Sequence, residues 1–255
     1  MSEWLVLTLG MLAACAVVIV VVLLRQRRHG AEVDPSETPD VIEYMTMMIG
    51  VVYAIVLGLA IAGVWEARST ADAAVSQEAQ ALHEVSERVR VYPAKERERV
   101  RDDVDAYVRY TVNKEWPYMA EHGSLTDKGR RMLGKLRQNV TSYEPSTTQQ
   151  AQSYQAAVDQ VAEADTARTD RAASAEPTMP GVVWFGLVAG AVVSVGMLFA
   201  LQIQRSGREL VLAGLFSALL AFLLFLVWHF DTPFAHGLDD SGGAFTTLFP
   251  KAAGS

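Results

Sequence analysis

The chain has 255 residues, 51% hydrophobic and 20% charged, with a formal net charge of −7 and a sequence pI near 5.3. This acidic balance argues against nucleic-acid binding, because neutralising phosphates requires Lys and Arg gathered on a basic face. The single cysteine, Cys15, excludes an intrachain disulfide framework and a Cys-based metal site.

The averages hide a segmented chain, with apolar residues at both ends and nearly all the charge between them. The first apolar run covers residues 4–24, about the 20 residues that cross a bilayer core. Its start, Met1-Ser2-Glu3, is acidic and it ends in Arg25-Gln26-Arg27-Arg28, so it reads as a retained helix rather than a secretory leader. A second run, residues 45–65, also lacks charged side chains and carries Gly50, Ala54, Gly58 and Ala62 at four-residue spacing. This small face is a candidate either for close helix packing of the small-xxx-small kind or for lining a pore. In the pore reading, Met47, Val51 or Ile55 forms the narrowing.

Past Trp65, the positions Val75, Ala79, Leu82, Val85 and Val89 step by three and four, the stripe of a helix that continues span two until Pro93 stops it. A second insert helix is expected from residue 94 to 115, with Trp116-Pro117 and His122-Gly123 marking its end. A third begins at Thr126 as N-cap. A fourth runs from Ser146 or Thr147 toward Ala175 with a thin stripe of Tyr154, Ala157, Val158, Val161 and Ala164. So thin a stripe needs a partner, either the rod from span two or another subunit. The third and fourth apolar runs are residues 182–203 and 210–230, the last closed by Asp231-Thr232-Pro233.

The expected fold is thus an all-α membrane protein with four transmembrane helices in two hairpin-like pairs. Residues 1–65 hold spans one and two, 66–178 a soluble helical bundle, 179–232 spans three and four, and 233–255 an irregular tail. Basic residues sit in the two short loops, at Arg25, Arg27 and Arg28 and at Arg205 and Arg208. That bias places both loops in the cytoplasm, and the insert and both termini outside it. His229 and His236 flank Asp231 at the membrane edge, where they read either as a proton-sensitive group or as an interfacial cap.

Taken together, Trp65-Glu66, Ala74, Glu78-Ala79, Tyr107 or Tyr110, Trp116, Arg168, Arg171, Pro180, Trp184, Asp231-x-Pro233-Phe234 and Gly237 resemble a bacterial bestrophin-like membrane protein family of unknown function. The resemblance runs from about Gly50 onward and rests on order and spacing. It implies a four-span membrane protein with a helical insert, and its label suggests a distant relation to bestrophins, which are pentameric anion channels. Bestrophins keep their termini and large helical region in the cytosol, the opposite of the orientation that the charges indicate here.

No Asp, Glu, Lys or Arg interrupts a span, which argues against coupled transport. Zinc spacing, a phosphate loop and a nucleophile elbow are all missing, and Ser194 and Ser217 stand alone, so neither an enzyme nor a cofactor is expected. Two functions remain as expectations. One is an oligomeric bestrophin-like ion channel embedded in the lipid bilayer as a homo-oligomer. The other is a membrane-anchored sensor or scaffold whose extracytoplasmic helical domain binds a protein partner.

Overall fold

A computed structural model describes residues 40–200, 207–232, 234 and 242–253. The first apolar run, both basic loops apart from Arg208, Pro233 and His236 lie outside the described residues. Among the described residues, every regular element is helical and there is no strand. Two helices are long and apolar enough to cross a membrane, Tyr44–Val91 and Val211–Asp231, and Gly181–Met197 is a shorter apolar helix.

The elements are α1 (Asp40–Arg88), α2 (Ala94–Tyr110), α3 (Trp116–His122), α4 (Asp127–Thr141), α5 (Thr148–Ala173), α6 (Gly181–Ala200), α7 (Gly207–Asp231), α8 (Gly242–Leu248) and α9 (Pro250–Ala253). They divide into two compact units. One comprises residues 1–64 and 179–229, the other 65–178 and 230–255.

In the first unit, α1 buries Tyr53, Leu57, Ala60 and Val64, a row at helical spacing, while α6 buries Leu187 and Ala191. The Tyr53 hydroxyl donates to the Leu187 carbonyl at 3.0 Å. Its ring lies where Gly190 has no side chain: a Cβ there would come 2.5 Å from Tyr53 Cε2. Large apolar side chains on the remaining surface, including Met48, Leu59, Val182 and Phe185, are exposed, as suits helices solvated by lipid rather than water.

The second unit is a bundle built on the continuation of α1. No Gly or Pro lies between Trp65 and Arg88, so nothing ends the helix there, and it runs unbroken for 49 residues. Val75, Ala79, Leu82, Val85 and Val89 are all buried in the bundle core, as their spacing predicts. A 3-10 turn, Val89–Val91, and the Pro93 N-cap then reverse the chain into α2.

The expected helix end at Trp116-Pro117 is not an end. A π-turn, Thr111–Glu115, carries α2 directly into α3. Pro117 has no N–H to offer and its ring crowds the preceding turn, and the wider π geometry accommodates both. The helix stops at the other expected mark, His122-Gly123, where the Gly123 φ of 64° is a left-handed conformation that favours glycine. Thr126 caps α4 by accepting from Gly129 N, and Thr147 caps α5 by accepting from Gln150 N. The thin stripe of α5 buries Ala157, Val161 and Ala164 against the chain's own core, and Gln77 on α1 donates to Glu163.

The tail also departs from expectation. Residues 242–253 form α8 and α9 rather than irregular chain. Phe245 is fully buried and Phe249 nearly so, and both belong to the bundle core. Aromatic burial, not helix propensity in this Gly- and Thr-rich segment, orders it.

Candidate functional site

The bundle core is not wholly apolar. On α1, Glu78 falls in the same row as Ala71, Val75, Leu82 and Val85. Glu115 closes the π-turn and continues the row of Val100, Val104, Tyr107 and Thr111. On α5, Arg168 and Arg171 extend the row of Ala157, Val161 and Ala164. Each charge is therefore carried inward by the periodicity of its own helix. The four meet in the interior, where Glu78, Glu115 and Arg171 are fully buried and Arg168 is 7% exposed.

Arg171 is the hub. Its Nε donates to Glu78 Oε2 at 2.7 Å and its Nη2 to Glu78 Oε1 at 3.1 Å, the forked geometry in which a guanidinium matches a carboxylate. The same Nη2 reaches Glu115 Oε2 at 3.0 Å, and Nη1 lies 2.9 Å from the Met119 sulfur. Glu115 Oε1 accepts from Arg168 Nη2 at 2.6 Å, from Thr126 Oγ1 at 2.7 Å and from Thr126 N at 3.1 Å. The Tyr107 hydroxyl donates to Glu78 Oε1. Gly129 leaves room for this convergence, since a Cβ there would lie 2.7 Å from Arg168 Nη2 and 2.9 Å from Glu115 Cδ.

Two carboxylates and two guanidiniums cancel in net charge, which makes their burial tolerable. Burial alone opposes ionisation of Glu115, but Arg171 and Arg168, with the Thr126 hydrogen bond, outweigh it and hold the carboxyl below its ordinary value. Burial likewise opposes the charge on Arg171, and Glu78 foremost, with Tyr107 and Glu115, more than restores it, so the guanidinium stays protonated. Burial, reinforced by the negative charge of Glu78, raises the Tyr107 phenol well above its usual range and keeps it a hydrogen-bond donor.

Chemically, this arrangement holds rather than reacts. Glu115 is saturated with donors and, with its lowered pKa, is a poor proton acceptor near neutrality. Among the described residues, no three His, Cys, Asp or Glu side chains gather as metal ligands. One carboxylate clamps the π-turn, the N-terminus of α4 and α5 together, and Glu78 ties α1 to the same knot.

Four sequence-nominated residues, Glu78, Tyr107, Arg168 and Arg171, thus converge. Trp116 adjoins Glu115 and packs edge-on to Phe245, with centroids 5.6 Å apart. The other nominated positions lie away from the cluster. Trp65 meets Phe230 edge-on at 5.4 Å, and the Arg68 guanidinium lies over the same ring at 5.2 Å. Glu66 is exposed, its carbonyl accepting from Thr70. Asp231 is buried, its carbonyl accepting from Thr178 N at 3.1 Å, and Phe234 packs against the bundle core. Trp184 lies in the other unit, half-buried on α6. His229 stacks on Phe225.

Ala54, Gly58 and Ala62 are exposed and Gly50 half-exposed, off the buried row of α1, and a Cβ on Gly50 or Gly58 would touch nothing. Sequence reasoning missed Glu115, Thr126 and Gly129 as site residues. A signal existed: a charge on an otherwise apolar row must find a buried counter-charge.

A family model for the bestrophin-like domain matches residues 12–237, reaching further toward the N-terminus than the resemblance that starts near Gly50. No curated protein and no solved structure matches the chain. With nearly its whole length covered by that domain, the chain belongs to the bestrophin-like family.

Proposed function

We propose that the protein is a four-span, self-associating membrane protein that passes small ions along an axis lined by α1. The observation that carries this reading is the uncharged face of Gly50, Ala54, Gly58 and Ala62, which the chain's own described helices leave open. Small residues let helices of neighbouring copies approach closely, and Met47, Val51 and Ile55, all exposed, supply an apolar constriction. The basic residues at 25–28 and 205–208 support cytoplasmic short loops, with the insert and both termini outside. We read the protein as non-enzymatic, because Glu78 and Glu115, the carboxylates of its buried cluster, are committed to guanidinium partners.

Reconstitution of purified protein in planar bilayers tests the proposal. Current from a multimeric species supports it. A single-copy mass in detergent, or silence at every pH, voltage and calcium level, refutes it. The partner-binding scaffold is kept as a second reading because the helical bundle is joined to the apolar part of α1 by one unbroken helix.

A further inference from the structure

Between α1 and α6 the apolar unit leaves a groove of about 600 Å³, far larger than a packing defect. Met48, Val52 and Val56 form one wall, Gly186 and Gly190 lie on the other, and the ring of Tyr53 abuts Gly190 between them. The three α1 side chains are exposed and a Cβ on Gly186 would touch nothing, so a further helix can approach both walls closely. At about 3.6 residues per turn, the groove side of α1 lies roughly 170° around the helix from Gly50, Ala54, Gly58 and Ala62. The groove therefore faces away from the proposed ion path.

We propose that the apolar run of residues 4–24, which lies outside the described residues, occupies this groove as a helix antiparallel to α1. The length of the run and the place where it ends support this occupant. It is uncharged and long enough to cross a bilayer, and the family domain begins at residue 12, inside it. The link that follows, residues 25–39, can extend up to about 50 Å, whereas packed helix axes lie only about 8–10 Å apart. With Leu24 and Met45 at one membrane level, antiparallel packing brings residues 13–17 level with residues 52–56. That part of the run, Ala13-Ala14-Cys15-Ala16, is small and suits close approach to the glycine wall. The run thereby covers the back of α1 and leaves the small face free for neighbouring copies.

Disulfide trapping in the membrane tests the proposal. Single cysteines at positions 13 to 17, native at Cys15 and otherwise in a Cys15→Ser background, are each combined with Val52→Cys, Val56→Cys or Ala54→Cys and oxidised with copper phenanthroline. Five successive positions exceed one helical turn, so one of them faces the groove at any rotation of the run. At least one is expected to bond to position 52 or 56 within a single chain, with at least five times its yield at position 54. The absence of intrachain bonds to both groove positions, as when acyl chains fill the groove, overturns the proposal. Bonds formed only between chains, which would seat a second copy there, overturn it too, as do equal yields at position 54. The inference rests on residues 4–24 being a span. Labelling of Cys15 by a membrane-impermeant maleimide in sealed vesicles would refute that reading itself, whereas a protected Cys15 without the groove bonds refutes the docking alone.

Discussion

Replacing Arg171 by Met removes the hub of the buried cluster and leaves a side chain of comparable length. Glu78 then keeps only the Tyr107 hydroxyl, whereas Glu115 retains Arg168 and Thr126. The cost falls on one buried, uncompensated carboxylate. Breaking a buried pair from one side destabilises by about 3–5 kcal/mol. For a unit of this size that lowers the thermal midpoint on the order of 10 °C.

The informative comparison is the double variant Glu78→Met/Arg171→Met. It removes both members of the forked pair and leaves Glu115 and Arg168 to neutralise each other. Because desolvation offsets much of what a buried pair gains, the double variant is expected to recover at least half of the loss. Circular dichroism melting of all four chains in one detergent closes the cycle. An Arg171→Met midpoint within 2 °C of the parent, or a double variant no better than the single, would refute the view that Arg171 compensates Glu78.

Four further outcomes follow from the same geometry. Gly129→Ala drives a methyl into Glu115 and Arg168 and should cost about 1–3 kcal/mol, read by the same melts. Thr126→Ala removes both the α4 cap and a donor to Glu115 and should cost about 1–2 kcal/mol; an unchanged midpoint would contradict the capping role. Because Glu115 is held below its ordinary value of 4.5, the stability it supplies is complete above that pH and is lost as pH falls through the lowered value. Melts between pH 7 and pH 3 should therefore show an acid limb that Glu115→Gln reduces. In the apolar unit, Gly190→Leu should weaken the packing of α1 on α6, seen as faster proteolysis or dissociation in detergent, while Tyr53→Phe, which keeps the ring, should do so less.

The helices of the bundle were legible in the sequence because their rows of Val, Leu and Ala recur at three and four residues, and because Thr126 and Thr147 announce caps. What escaped the pattern depended on contacts between distant segments. The π-turn at Thr111–Glu115 has no propensity signature of its own. It becomes intelligible only with Pro117 behind it and Arg168 and Arg171 facing it. Glu78 and the two arginines were nominated from family resemblance, yet their adjacency was implicit in the rows they extend. The tail looked irregular because Gly and Thr favour no helix, while burial of Phe245 and Phe249, a tertiary effect, decides its structure.

The proposed ion path, lined by the small faces of several copies of α1, is probed at Ala54. In a Cys15→Ser background, Ala54→Cys channels in planar bilayers would be exposed to a small water-soluble thiol reagent during recording. Current that falls on modification and returns on reduction is the predicted result. A steady current indifferent to modification at Ala54, with labelling of the thiol verified by mass, would contradict the claim.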